Sequence, residues 1–121
     1  MTLVDTSIWV DHLHKGDSAM RGLLADGLVL SHPFVIGELA MGNLEPCKSI
    51  FRMLHRLPLA VAAGHLEALN FIAQNALFGV GIGYIDAHLL AATRLTLGAT
   101  LWTRDQRLAK VAESMNLAFQ P

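Results

Sequence analysis

The sequence predicts an α/β domain, because short apolar strands alternate with stretches of helical spacing and because aspartates stand at two of the strand-to-helix junctions. Strands separated by helices pair in parallel through right-handed crossovers, with helices on both faces. The expected architecture is therefore a three-layer α/β/α sandwich around a mainly parallel sheet. A chain of 121 residues that is 53% hydrophobic can bury one core, so a single domain over residues 1–121 is expected.

Each element has a local reason. Thr2-Leu3-Val4 is a short apolar run that predicts a buried strand, and Thr6 to His14 predicts a helix because Ile8, Trp9 and Leu13 recur near helical spacing. Gly27-Leu28-Val29-Leu30 predicts a second strand. Ser31-His32-Pro33 then offers an N-cap, with proline near the first turn, for a helix reaching about Gly42. Pro46 to Leu57 and Gly64 to Phe78 carry further helical patterns, separated by the short run Leu59-Ala60-Val61. Gly79, Gly81 and Gly83 punctuate the chain before a helix from about Tyr84 to Leu97, closed by Gly98. Thr100-Leu101-Trp102-Thr103 predicts a strand, Gln106 to Met115 a last helix, and Leu117-Ala118-Phe119 an edge strand. No internal repeat, linker or low-complexity segment interrupts this order.

Composition removes several classes. No uncharged apolar run approaches the roughly 20 residues that a membrane-spanning helix needs. Asp5 interrupts the early apolar stretch and no basic segment precedes it, which predicts no secretory signal. A lone Cys47 cannot form an internal disulfide and reads as a small, partly buried residue; together these features predict a soluble cytoplasmic protein. The net charge of −1 argues against binding nucleic acid mainly through a basic surface. The charge is nevertheless uneven: residues 1–45 hold six acids and two bases, residues 46–121 four acids and seven bases. Arg94, Arg104, Arg107 and Lys110 lie in the second part, as solvated helix residues or as a path for phosphates.

Four carboxylates stand out. Asp5 and Asp105 follow strands and precede helices, so each would serve as an N-cap, and in an open parallel sheet both would also emerge at the carboxyl edge where functional groups gather. Glu38 has Phe34, Val35, Met41 and Gly42 three and four positions away, and Asp86 has Ile82, Gly83, Leu89 and Leu90. Both therefore sit on apolar helix faces, and Asp86 has no Lys or Arg within one turn. An unpaired buried carboxylate costs several kcal/mol as an order of magnitude, so it must be protonated, paired from afar or bound to metal. The other acids read as caps, turns or solvated positions. An oxygen-only donor set suits Mg²⁺ or Mn²⁺ rather than zinc, and the six histidines are scattered. Ser7 and Ser31 fall in capping contexts and no G-x-S-x-G elbow is present, although Ser7 could also orient Asp5. Gly79-Val80-Gly81-Ile82-Gly83 lacks the third glycine and preceding strand of a dinucleotide fingerprint, so no nucleotide cofactor is expected.

Taken together, Val4-Asp5-Thr6-Ser7, Gly37-Glu38-Leu39, Ile85-Asp86-Ala87-His88-Leu89-Leu90-Ala91-Ala92 and Trp102-Thr103-Arg104-Asp105 resemble the PIN-domain family, and within it the VapC toxins of type II toxin–antitoxin modules. The resemblance spans nearly the whole chain and rests on the order and spacing of the motifs. It implies a sandwich with a central parallel sheet, ribonuclease activity dependent on Mg²⁺ or Mn²⁺, homodimerisation, and inhibition by a VapB-like antitoxin. By motif position, Asp5, Glu38, Asp86 and Asp105 correspond to the family's acidic metal site, with Ser7 and Thr103 as hydroxyl neighbours. Many relatives carry a further acid just beyond the last motif; here Gln106, Arg107 and Leu108 stand there, which puts a second metal position in doubt.

The expected mechanism places metal on Asp5, Asp86 and Asp105 with Glu38 close by, water activated for in-line attack on phosphorus, and Arg104 and Arg107 as contacts to RNA phosphate. Glu38 would bind a second ion or act as general base. Two rivals differ in class. A PIN-like module that only binds a partner would not cut RNA, and a phospho-acceptor receiver would need an acceptor aspartate after a middle strand and a lysine after a late one. Asp26 and Lys110 do not meet those positions.

Overall fold

The computed structural model describes residues 1–42 and 48–121, with Lys48 described by its backbone only. The expected helix start at Pro46 and the readings of Glu45 and Cys47 fall outside those residues.

The sheet is parallel and its first strand is central. Strand β1 (Thr2–Val4) pairs on one side with β2 (Val29–Leu30), Thr2 opposite Val29 and Leu3 opposite Leu30. On the other side it pairs with β3 (Thr100–Trp102), in the register Thr2 to Thr100, Leu3 to Leu101 and Val4 to Trp102. The order is β2-β1-β3. Single parallel bridges continue both edges, Ser31 with Leu59 and Leu101 with Ala118. The edge strand expected at 117–119 is therefore reduced to one bridge, and the short run at 59–61 also supplies one. Neighbouring residues of a strand point to opposite faces, yet Leu3, Val4, Val29, Leu30, Leu101 and Trp102 are all buried. Both faces must be covered, which makes the arrangement a helix–sheet–helix sandwich.

Among the described residues seven helices surround this sheet. Helix α1 (Thr6–Lys15) buries Ile8 and Trp9. Helix α2 (Ser18–Ala25) is absent from the sequence reading: Met20, Leu23 and Leu24 recur at helical spacing, but over eight residues that include Gly22, where a period is a weak signal. Its cap is Asp17, whose Oδ1 accepts the Met20 N–H at 2.9 Å. Helix α3 (Pro33–Met41) has proline in its first turn as expected, but its N-cap is His32, whose Nδ1 accepts the Phe34 N–H at 3.0 Å. Ser31 is instead fully buried in the bridge to Leu59, and its hydroxyl has no protein partner among the described residues.

Helices α4 (Lys48–Arg56) and α5 (His65–Gln74) form the middle, and α5 stops four residues short of Phe78. Gly64 N–H donates to Glu67 Oε1 at 2.9 Å, so Glu67 caps the first turn of α5 from within it. Helix α6 (Tyr84–Leu95) buries every side chain from Ala87 to Thr93, while Leu97, read as its end, is fully exposed beyond it. Helix α7 (Gln106–Ser114) follows β3 directly and buries Leu108 and Ala112. No helix among the described residues is long and apolar enough to cross a membrane.

This topology fixes where a site can lie. The chain leaves β1 for β2 on one side and reaches β3 on the other, so connections diverge at the carboxyl end of β1 and leave a crevice there.

Candidate active site

Asp5 is the first residue beyond β1. Its N–H donates to Trp102 O at 2.9 Å, which ties the end of β1 to the end of β3. Its carboxylate caps α1 through Oδ1, which accepts the Thr6 N–H at 2.8 Å, while Oδ2 accepts from Ser7 Oγ at 3.0 Å and Thr103 Oγ1 at 2.7 Å. The group is buried, and these donors meet around it because a buried carboxylate needs them. Asp105 lies three residues past β3 and caps α7, with Oδ1 accepting Arg107 N–H at 2.9 Å and Leu108 N–H at 3.1 Å. Its own N–H donates to Thr103 Oγ1 at 3.0 Å, so one threonine hydroxyl serves both aspartates.

Asp86 is the third residue of α6, and Oδ2 accepts the Gly83 N–H at 3.1 Å. Glu38, on α3, accepts from Thr6 Oγ1 at 2.7 Å through Oε1. Three of the four carboxylates thus sit at helix N-termini, where the amide dipoles favour negative charge. Capping occupies one oxygen of Asp86 and one of Asp105, and Thr6 occupies one of Glu38. Asp86 Oδ1, Asp105 Oδ2 and Glu38 Oε2 are left without a protein hydrogen bond among the described residues.

Electrostatics joins the four. Burial pushes the Asp86 carboxyl above its ordinary value; the Gly83 N–H opposes that, and the charges of Asp5, Asp105 and Glu38 push it further up. Elements that are far apart in sequence therefore place these carboxylates in one field. They are not drawn to ligating distance: no group of three or more His, Cys, Asp or Glu among the described residues could hold an ion as placed. Their chemistry still fits a hard divalent cation, since every donor is a carboxylate oxygen and three oxygens are free.

One expectation needs correcting. Glu38 and Asp86 are half-buried in the crevice rather than facing the core. Of the apolar neighbours of Glu38, Val35 is buried, but Phe34 is 38% and Met41 89% exposed. Phe34 and Met41 line an open groove of about 700 Å³ with Thr6, Val10 and Ile85, and Glu38 stands in its wall. Helical spacing placed the residues on one face correctly; it could not say whether that face is covered.

The two arginines differ. Arg104 donates from Nε to Asp11 Oδ2 at 2.5 Å and from Nη2 to Asp17 Oδ2 at 3.0 Å. Arg107 has no ion pair among the described residues and lies against Gly81. A side chain at Gly81 would bring its Cβ within 2.7 Å of the Arg107 guanidinium, and its φ of +88° is a glycine conformation, so the glycine loop makes room for that arginine.

Sequence reasoning missed Thr6, whose hydroxyl holds Glu38; its place beside Asp5 in the first motif was the available signal. It also missed a ring cluster beneath α6. His88 packs between Phe34 and Tyr84, with centroids 4.8 and 4.6 Å away. Burial and the neighbouring His65 hold its pKa below the ordinary value, and burial with His88 takes that of His32 down to about 4. Both rings are neutral packing groups near neutral pH.

A parallel α/β sandwich with four carboxylates gathered at the carboxyl end of its central strand defines a protein of the PIN-domain class. No family model matches the sequence. Two curated proteins do: Ribonuclease VapC32 of Mycobacterium tuberculosis, in strain CDC 1551 / Oshkosh and in strain ATCC 25618 / H37Rv, is 42% identical over 115 residues, covering 94% of this chain and 93% of the relative. The chain belongs to the VapC family of PIN-domain proteins.

Proposed function

We propose that this protein is a ribonuclease dependent on Mg²⁺ or Mn²⁺ and acts as the cytoplasmic toxin of a VapBC-type module, as a homodimer restrained by a VapB-like antitoxin. The relatives named as ribonucleases support the RNA substrate, the toxin role and the antitoxin partner. The observation that carries the chemistry is the set of carboxylate oxygens of Asp86, Asp105 and Glu38 left free beside Asp5 at the carboxyl edge of the sheet, because such a crevice favours a cation and repels a bare polyanion.

Asp5, Asp86 and Asp105 would hold the ion, with Glu38 beside them. When bound, a divalent ion lowers the pKa of water and offsets charge on the scissile phosphate. The chain supplies the rest. Ser7 and Thr103 donate to Asp5 and orient it, and the α7 amides do the same for one oxygen of Asp105 while its other oxygen stays free. Thr6 holds Glu38 by one oxygen and leaves the second free, where it would bind a further ion or accept a proton from water. Arg107, without a carboxylate partner among the described residues, is the arginine available to grip an RNA phosphate.

The test is cleavage of structured RNA by purified protein with Mg²⁺ or Mn²⁺ and with chelator, comparing the wild type with Asp86→Asn after matching their circular dichroism. Metal-dependent cutting lost in the folded variant is the expected result. Equal cutting by both proteins would refute the site, and no cutting of any RNA would favour a partner-binding module.

A further inference from the structure

We propose that Arg104 is a positioning residue: gripping Asp11 and Asp17, it pins the junction between β3 and α7 against α1, so that Asp105 and Asp5 face the same crevice. The inference rests on the crevice being the RNA-cutting site and gives Arg104 a role other than the phosphate contact expected from the sequence.

Three consecutive residues carry the argument. Thr103 reaches Asp5 through its hydroxyl, the Arg104 N–H donates to Ser7 Oγ at 3.1 Å, and the Asp105 N–H returns to Thr103 Oγ1. These bonds stitch the junction to α1, but each runs through a small hydroxyl that water can replace. The guanidinium adds a longer reach. It engages one carboxylate on α1 and another at the N-cap of α2, so a single planar fork spans β3–α7, α1 and α2.

Partly exposed ion pairs contribute little to stability. Their effect here is on orientation: Asp105 follows Arg104 directly, and any swing of the junction moves its free oxygen relative to Asp5. The charge of Arg104 is also spent on the outer side. The Asp17 carboxyl is held below its ordinary value by the Met20 N–H and by Arg104, whereas the charges acting on Asp86 are all carboxylates. The crevice therefore keeps its negative field although an arginine adjoins Asp105.

Two variants separate positioning from phosphate contact. Arg104→Gln removes the fork, while the double variant Asp11→Asn, Asp17→Asn removes what it holds and keeps a residue able to cap α2. Positioning predicts that both variants lose kcat by about tenfold, without a rise in KM for RNA, because misplacement of the reacting groups costs rate. It also predicts, in metal-free protein, faster amide exchange at Arg107 and Leu108, whose N–H groups donate to Asp105. The salt dependence of kcat/KM stays that of wild type in Arg104→Gln. A phosphate contact predicts the opposite: Arg104→Gln raises KM and lowers the salt slope by about one, and the double variant frees the arginine, keeping kcat and lowering KM. That pattern, or unchanged exchange at Arg107 and Leu108, overturns the proposal. If wild-type protein cuts no RNA, the proposed function fails on its own, and the exchange measurement still decides whether Arg104 holds the junction.

Discussion

Along the three strands, Leu3, Val4, Leu30, Leu101 and Trp102 are buried against apolar neighbours, whereas one residue beyond β1 and three beyond β3 the chain turns Asp5 and Asp105 toward Asp86 and Glu38. Both regions follow ordinary local rules. In the sheet those rules agree with one another: β-favouring residues, burial and parallel pairing all select the same structure. At the carboxyl edge the aspartates each satisfy a local rule as helix caps, and together they conflict, since the caps bring like charges into one crevice. The contrast teaches that the edge is frustrated by charge rather than by packing, a conflict that the proposed divalent cation would relieve.

The largest expected effect separates the two regions by function. Asp105→Asn and Asp86→Asn should each lower metal-dependent RNA cleavage by about a hundredfold or more, in protein of unchanged circular dichroism. Leu101→Ala, in the sheet, should cost about 2–5 kcal/mol of stability in urea unfolding while leaving activity per folded molecule intact. If the edge variants unfolded the protein, or the core variant removed activity from folded protein, the division would fail.

Asp86 sharpens the comparison further. Its carboxyl is raised in the folded state, so the stability it contributes is present at low pH and is lost as pH rises through the raised value. Asp86→Asn should therefore be more stable than wild type in metal-free buffer at neutral pH, an advantage that shrinks toward acid. Chemical denaturation at two pH values checks this, and added Mg²⁺ should raise the wild-type Tm but not that of the variant. The smallest effect belongs to the hydroxyls. Thr103→Val leaves Ser7 on Asp5 and should cost about 1 kcal/mol of stability and about tenfold in rate.

Much of this was legible in the sequence. The three strands, the parallel pairing and the starts of α1 and α7 followed from short apolar runs and from N-caps read at Asp5 and Asp105. Local patterns could not show how far the sheet extends, because Leu59 and Ala118 each make only one bridge and a bridge depends on what the fold brings alongside. They misjudged the surroundings of Glu38 for the same reason: a period identifies a face, and only tertiary structure says what covers it. The division of labour between Arg104 and Arg107 was hidden too, since the partners Asp11 and Asp17 lie more than 85 residues away along the chain.

The most direct test of four carboxylates acting as one unit is the titration of the Asp86 side-chain carboxyl by carbon-detected NMR, in metal-free protein and again with Mg²⁺. The account predicts a pKa above the ordinary aspartate range without metal, a lower one in Asp5→Asn, and a fall below that range when Mg²⁺ is added to wild type. An ordinary titration that neither Asp5→Asn nor Mg²⁺ alters would contradict it.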